Sequence, residues 1–213
     1  MQELFEQLEF KENPLFEGII SDLLEKKYCV VDNFFSVGET SILRTGLLTK
    51  FEDNKFKKAA IGNHFNEIII KSVRGDYILW MDEKVEDTAT QLFFRNITAL
   101  SDYLNKTCFL GILHKEFHYA LYPEGAFYKR HLDTFLNDDR RKLSIVCYLN
   151  EPDWEAADGG ELAIYLNEDG KEKAMIIYPI LGRMVIFESQ ELEHEVMSAR
   201  RNRMSITGWL KTR

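Results

Sequence analysis

The hydrophobic pattern of this chain changes near residue 115, and that change constrains the fold more than any other feature. Before it, apolar residues recur at helical spacing; after it, they fall into short β-like runs separated by turn signals. This order predicts an α+β fold, a double-stranded β-helix (jelly-roll) core of about eight strands with N-terminal helices packed on one face. The predicted strands span about 116–122, 126–133, 142–149, 161–166, 174–178, 183–188, 193–197 and 203–210.

Local signals place the elements of the first half. Asn13-Pro14 matches an N-cap followed by proline at the first helical position. Ser36 and Glu39 have the capping-box spacing of a second helix, and an apolar stripe predicts a longer helix from about Glu86 to Tyr103. A β-rich run over residues 28–32 separates the first two helices.

The length of the chain and its lack of breaks predict a single domain. Its 213 residues are enough for one sizeable core, and no repeat, low-complexity stretch or linker interrupts them. We therefore assign residues 1–213 to one domain. Its helical lead-in covers about 1–110 and its jelly-roll core about 115–213.

Charge, hydropathy and cysteine content narrow the range of binding partners and of cellular compartments that the chain could have. The net charge of -8 disfavours binding to nucleic acid, which is a polyanion. No apolar run approaches the ~20 residues of a membrane span, and the first residues are too polar for a signal peptide. Three widely spaced cysteines within apolar runs fit buried thiols better than a disulfide or zinc framework. We expect a cytoplasmic protein that binds neither nucleic acid nor a membrane.

A candidate metal site begins with His131 and Asp133, two residues apart in a predicted strand. Side chains alternate along a strand, so both should point to the same face. A single His-x-Asp is a weak signal, because an isolated histidine more often serves packing. His194 strengthens it, since the second and seventh strands of a jelly roll can converge at one end of the barrel. Two imidazoles and a carboxylate suit non-haem Fe(II), although ligand chemistry alone leaves zinc open.

Arg203 favours the iron interpretation. It lies in the last predicted strand, and an arginine inside a barrel needs an anion to offset its desolvation. The distal carboxylate of 2-oxoglutarate would supply that anion as a bidentate pair. Tyr148 lies in another predicted strand, where its hydroxyl could donate to the same carboxylate; the alternative role for Tyr148 is packing in the core.

The chain resembles the prolyl-hydroxylase branch of the 2-oxoglutarate oxygenases, most closely the hypoxia-factor prolyl hydroxylases of animals and their bacterial relatives. The likeness runs from about Phe16 to Arg213. The stretches that match the family pattern, in order, are 29–34, 74–80, 122–123, 128–133, 148–150, 159–162, 182–187, 194–196 and 203–209.

The resemblance implies which residues hold the metal and the cosubstrate. His131, Asp133 and His194 match the iron ligands. Arg203 matches the arginine that binds the tail of 2-oxoglutarate, and Tyr148 the tyrosine that shares that carboxylate. The three ligands and Arg203 are therefore the expected catalytic set.

The resemblance implies roles for four further residues and a position for a fifth. Tyr122 matches a tyrosine near the metal-proximal end of the cosubstrate, and Ser144 replaces a threonine while keeping a cofactor-binding hydroxyl. Tyr128 and Trp209 match aromatic residues near the substrate entrance. His118 stands where relatives often carry an apolar residue, close to the cofactor pocket.

The segment Arg74-Gly75-Asp76 is open to two interpretations. Alone, Arg-Gly-Asp suggests a cell-adhesion ligand, but it precedes an apolar run in a chain without a secretion signal. The resemblance instead places Arg74 and Asp76 at the substrate-side rim, with Arg74 paired to an acid. Together with the lead-in helices, the loop over residues 134–141 would form a groove for an extended substrate.

The resemblance implies an Fe(II)- and 2-oxoglutarate-dependent dioxygenase. It would use O₂, release succinate and CO₂, and take ascorbate as a candidate reductant. The first expectation for the substrate is a prolyl residue in a protein or peptide. The alternatives are a hydroxylase of a free amino acid or small metabolite, and a non-catalytic jelly-roll module that binds a metal.

Overall fold

A computed structural model describes residues 11–59, 73–134, 139–168 and 170–212 of the chain. Its helices are α1 (Pro14–Lys26), α2 (Val37–Glu52) and α3 (Thr88–Cys108). Its strands are β1 (Tyr28–Val31), β2 (Lys57–Lys58), β3 (Tyr77–Trp80), β4 (Ile112–Tyr122), β5 (Tyr128–His131), β6 (Arg141–Tyr148), β7 (Leu162–Glu168), β8 (Lys171–Ile177), β9 (Met184–Glu188), β10 (His194–Val196) and β11 (Arg203–Thr212).

The helices begin where the capping signals place them. Ser36 and Glu39 form the predicted capping box, in which the Glu39 amide donates to the Ser36 hydroxyl at 3.3 Å. Asp87 caps α3 by accepting from a backbone amide in the first turn. This helix ends at Cys108, whereas the predicted end was Tyr103. The prediction stopped early because residues 105–107 are polar and do not continue the apolar stripe.

The strands form two antiparallel sheets. The larger sheet has the order β1-β9-β6-β11-β4-β3-β2, and the smaller has the order β5-β10-β7-β8. Strand β11 lies in the middle of the larger sheet, where Arg203 is opposite Tyr122 of β4 and Ser205 is opposite Tyr148 of β6. In the smaller sheet, β10 lies between β5 and β7 and places His194 opposite His131.

Two hydrophobic cores cover the two faces of the larger sheet. The helix-facing core packs α1, α2 and α3 against that sheet and includes Phe93 and Cys147. The inter-sheet core lies between the two sheets and includes Tyr148 and Phe187. Adjacent residues of β6 thus enter different cores, as strand alternation requires. The candidate site residues lie in the inter-sheet layer.

The predicted jelly-roll core of eight strands is confirmed, because β4 to β11 match the eight predicted runs in order. Several boundaries differ by two to four residues, and one of them bears on the site: β5 ends at His131, so Asp133 lies beyond the strand. Strands β2 and β3 extend the larger sheet and are not predicted, because two and four residues are too few to show an alternation. Residues 135–138 of the expected substrate loop lie outside the described residues. In the described ranges, no helix is long and apolar enough to cross a membrane.

Candidate active site

The three expected metal ligands meet at one end of the β5–β10 pair. One ligand atom from each of His131, Asp133 and His194 lies within 4.8 Å of the other two. The Asp133 carboxylate lies between the imidazoles. Its Oδ1 is 3.4 Å from His131 Nε2, and its Oδ2 is 3.6 Å from His194 Nε2.

Hydrogen bonds to backbone carbonyls orient both imidazoles. His131 Nδ1 donates to the Lys129 carbonyl at 2.7 Å, and His194 Nδ1 donates to the Leu192 carbonyl at 3.1 Å. A carbonyl can only accept, so each Nδ1 carries a proton, and in a neutral imidazole the Nε2 then keeps its lone pair. The Tyr128 ring stacks on His131 at 3.7 Å between centroids and limits its rotation. This arrangement is typical of histidines that bind a metal through Nε2.

The electrostatics of the triad also fit a divalent metal. Burial lowers the pKa of His194 to about 4, so its imidazole is neutral at physiological pH. Burial opposes the ionisation of Asp133, but His194, His131 and a hydrogen bond from Ser144 outweigh it and hold the pKa of Asp133 below its ordinary value. A carboxylate with two neutral imidazoles is the protonation state that a metal requires. It is also the donor set that suits Fe(II).

The resemblance implied that the Ser144 hydroxyl binds the cofactor, but in the structure it contacts a metal ligand. This hydroxyl donates to Asp133 Oδ2 at 2.7 Å and lies 2.8 Å from the Ser189 hydroxyl. Ser144 therefore supports the carboxylate ligand and does not line the cavity. Residue spacing does not predict this contact, because Asp133 lies past the end of β5 and reaches β6 only through the fold.

Arg203 is a buried guanidinium without an acidic partner among the described residues. It is 1% exposed, and its Nε donates to the Gly160 carbonyl at 2.7 Å. Its Nη2 has no hydrogen-bond partner. Gly160 has a φ of +73°, and a Cβ there would lie 3.0 Å from the Cδ of Arg203. Glycine at position 160 thus allows this close contact.

Two tyrosines flank Arg203. The ring centroids of Tyr122 and Tyr148 lie 5.1 Å and 5.0 Å from its guanidinium carbon. The Tyr148 hydroxyl is buried without a partner, and burial raises its pKa, so it keeps its proton and can donate. The Nη2 of Arg203 and this hydroxyl are two unpartnered groups that suit a carboxylate. Their chemistry fits the distal end of 2-oxoglutarate.

One cavity connects the metal ligands with the arginine. Its lining includes the whole triad, Arg203 and Tyr122, whereas Tyr148 is not part of the lining and packs against the guanidinium of Arg203. The cavity lies between the two sheets. A small molecule in it could contact the metal ligands and the guanidinium at once.

The expected substrate residues also surround this cavity. Arg74, Tyr128 and Trp209 line it. Asp76 is buried behind Arg74 and accepts two of its hydrogen bonds, at 2.8 Å and 2.6 Å. The Arg-Gly-Asp segment therefore forms an internal ion pair, and the Asp76 carboxylate is not presented to solvent as an adhesion ligand would require.

Sequence reasoning assigned no individual role to several of the lining residues and left His118 without one. Trp80, Arg141 and Thr207 also line the cavity. The guanidinium carbon of Arg141 lies 3.4 Å from the centroid of the Trp209 ring, and its Nη1 donates to the Asp133 carbonyl at 2.9 Å. The alternation of β11 and β4 could have assigned Thr207 and His118 to the face of Arg203 and Tyr122.

The second half of the chain matches a known family model. Residues 117–211 match the model described as the 2OG-Fe(II) oxygenase superfamily. A prolyl 3,4-dihydroxylase of Ostreococcus tauri, OGFOD1, is 32% identical over 104 residues, which are 44% of this chain and 20% of that protein. The chain thus matches only a fifth of the length of that relative.

Solved structures match nearly the whole chain. A prolyl-4-hydroxylase of Pseudomonas putida is 34% identical, with a TM-score of 0.83 over 94% of this chain and 100% of that one. A prolyl hydroxylase of Trichoplax adhaerens, solved with a peptide fragment of the hypoxia-inducible factor oxygen degradation domain, is 27% identical. Its TM-score is 0.83, over 93% of this chain and 89% of that one.

The triad predicts a graded loss of metal binding when it is changed. Asp133→Asn keeps the shape of the side chain but removes its charge, so the affinity for Mn(II) should fall about 100-fold or more. Ser144→Ala removes a supporting hydrogen bond and should cost about 10-fold. Anaerobic isothermal titration of Mn(II) measures both. The matched control is Asp153→Asn at the surface, which should bind as wild type does. Equal affinities for Asp133→Asn and wild type would exclude Asp133 as a ligand.

The burial of His118 predicts that the free energy of unfolding depends on pH. Burial, followed by the charge of Arg74, lowers its pKa to about 3. Below pH 6.5 the unfolded chain therefore gains a proton that the folded chain does not, and the free energy of unfolding should fall by up to about 1.4 kcal/mol per pH unit. Urea unfolding between pH 7.5 and pH 4 tests this. Both His118→Leu and His118→Asn should flatten the curve, whereas curves parallel to wild type would contradict the assignment.

Proposed function

The chain belongs to the 2OG-Fe(II) oxygenase superfamily, and from that premise we propose that it hydroxylates a prolyl residue in a protein or peptide. The reaction consumes O₂ and 2-oxoglutarate and releases succinate and CO₂. One observation supports this above all. A buried Arg203 without an acidic partner among the described residues lines the same cavity as two histidines and an aspartate whose ligand atoms converge.

His131, Asp133 and His194 would hold the iron. Their Nε2 atoms and carboxylate face one another, and three protein ligands leave coordination positions for the cosubstrate and O₂. When bound, Fe(II) with 2-oxoglutarate and O₂ supplies the oxidation, which places one oxygen atom in a C–H bond and the other in succinate. The backbone hydrogen bonds at Nδ1 orient both imidazoles, and burial keeps that of His194 neutral.

Arg203 and Tyr148 would bind the distal carboxylate of 2-oxoglutarate. The guanidinium offers Nη2, and the tyrosine offers a hydroxyl that burial keeps protonated. Tyr122 packs on the guanidinium and limits its movement. Fixing one end of the cosubstrate orients the other end toward the triad, which is the entropic contribution that positioning makes to catalysis.

The residues at the substrate side favour a peptide over a small metabolite. Trp80 is 38% exposed and lines the cavity, so an aromatic wall continues from the cavity to the surface. The relatives named above are prolyl hydroxylases, one of them solved with a peptide. A free amino acid remains the second candidate. A non-catalytic module is the third, and it would not need to keep Arg203 buried.

Compartment and reductant belong to the same proposal. We place the protein in the cytoplasm, where thiols stay reduced; Cys29 and Cys147 are buried free thiols and fit that setting. We also propose ascorbate as the reductant that keeps the iron in its ferrous state.

The substrate proposal predicts a preference among added compounds. With Fe(II), ascorbate and O₂, a panel of prolyl peptides should stimulate the conversion of 2-oxoglutarate to succinate more than free proline does. Mass spectrometry should find one added oxygen atom on the peptide. Zn(II) should occupy the site and give no turnover, because it lacks redox chemistry. Stimulation by free amino acids alone would favour a hydroxylase of small metabolites. No turnover with any compound would favour a non-catalytic module that binds a metal.

The arginine predicts a steep loss of cosubstrate affinity. Removing one side of a buried ion pair costs about 3–5 kcal/mol, which corresponds to about a 100- to 1,000-fold weaker Kd. Arg203→Ala should show this loss for 2-oxoglutarate while Mn(II) binding persists. Arg203→Lys should fall in between, because lysine keeps the charge but not the planar fork.

The control for this arginine is two residues away. Arg201 pairs with Asp153 and Asp158 outside the cavity, so Arg201→Ala should bind 2-oxoglutarate as wild type does. Titration of 2-oxoglutarate into the Mn(II)-loaded proteins gives each Kd. The assignment of Arg203 fails if its alanine variant matches the Arg201 variant.

A further inference from the structure

Two more polar atoms in the cavity lining are left without partners. His118 Nδ1 and Trp209 Nε1 are both buried, and neither has a hydrogen-bond partner among the described residues. Both residues line the cavity that holds the triad. Buried polar atoms in folded proteins are nearly always paired, so an unpaired set at a cavity wall indicates a ligand group. The cosubstrate interactions proposed above use neither atom.

The fold places these two rings side by side on the larger sheet. His118 of β4 lies opposite Thr207 of β11, and Trp209 is two residues further along β11 on the same face. Their ring centroids are 5.7 Å apart. Trp80 of β3 packs edge-on against His118 at 4.9 Å between centroids and covers the imidazole from the side of the surface. The imidazole of His118 therefore packs against an indole ring on each of two neighbouring strands.

The pair is polar but carries no charge. The indole N–H can only donate, and a neutral imidazole offers one donor and one acceptor. The burial that lowers the pKa of His118 to about 3 keeps this ring neutral. Of the nearby cations, Arg74 is paired with Asp76, and Arg141 packs on the Trp209 ring and donates to the carbonyl of a metal ligand. An uncharged group with one donor and one acceptor satisfies both unpaired atoms without the desolvation cost of burying a further charge.

We propose that His118 and Trp209 form a subsite for one peptide group of the substrate, on the carboxyl side of the target proline. The peptide carbonyl accepts from Trp209 Nε1, and the peptide N–H donates to the bare imidazole nitrogen of His118. The peptide group on the amino side of a proline has no N–H and cannot satisfy both residues. This inference rests on the proposed prolyl substrate and explains how a peptide is distinguished from a free amino acid.

The subsite is tested by binding and does not require turnover. The probe is a synthetic peptide with one central proline, titrated into protein loaded with Mn(II) and 2-oxoglutarate. A second peptide is N-methylated at the residue after the proline, which deletes the N–H. Wild type should bind the first peptide about 3- to 10-fold more tightly, the effect of one hydrogen bond.

Variants of the pair should remove that discrimination. His118→Leu should weaken binding of the parent peptide about 3- to 10-fold and bind both peptides equally. His118→Asn, which keeps a donor and an acceptor, should recover part of the difference. Trp209→Phe keeps an aromatic face for Arg141 but loses the donor, and should weaken both peptides alike. In every variant the Kd of 2-oxoglutarate should stay at its wild-type value.

Tyr119→Phe is the matched control. Tyr119 is next to His118 on β4 but faces the helices, so its loss of a polar atom should not change peptide binding. The inference is overturned if His118→Leu keeps the discrimination between the peptides, if it weakens 2-oxoglutarate instead, or if wild type binds both peptides equally or not at all. If the peptides bind as expected but wild type hydroxylates none of them, the proposed function fails while the subsite stands.

Discussion

The register between β5 and β10 is the constraint on which the candidate site depends. His194 lies directly opposite His131 in this pairing, so the register fixes the spacing of the two imidazoles. A slip of one residue would turn His194 to the other face of the sheet. The neighbours of the ligands oppose such a slip. Arg130 of β5 donates to Glu193, the residue before β10, and forms two hydrogen bonds with Glu172 of β8. Exposed ion pairs are weak singly, but this network connects β5 with β8 and with the start of β10.

The inter-sheet layer can hold many polar groups because the opposite face of the larger sheet supplies stability. A buried guanidinium costs several kcal/mol unless an anion pairs with it. On the helix-facing side, residues such as Leu43, Phe93 and Ile206 are fully buried, and each large apolar side chain contributes about 1.5–3 kcal/mol when it is removed from water. The helices therefore stabilise the sheet from one side, and the cavity on the other side can keep groups that only a ligand satisfies.

Sequence patterns predicted the parts of this molecule that depend on periodicity. Alternation located the eight strands of the core, and the His-x-Asp spacing with His194 located a triad whose ligand atoms do converge. Contacts between distant segments were beyond such reasoning. The partner of Ser144 depends on where the chain turns after β5. The unpaired nitrogen of His118 depends on how Trp80 and Trp209 pack against it from two other strands. Periodicity assigns a residue to a face, but it does not reveal its neighbours on that face.

The two sheets contribute different residues to the site. Both histidine ligands come from the smaller sheet, whereas Arg203 and Trp209 project from β11 of the larger one. Along β11 these two residues are six positions apart, about 20 Å in an extended strand. The charged Arg203 and the uncharged Trp209 can therefore recognise different molecules from one strand. Asp133 joins the two layers, since Ser144 of the larger sheet donates to its carboxylate. Substitutions near Trp209 can thus alter recognition while the imidazoles keep their register, because the β5–β10 pairing contains no residue of β11.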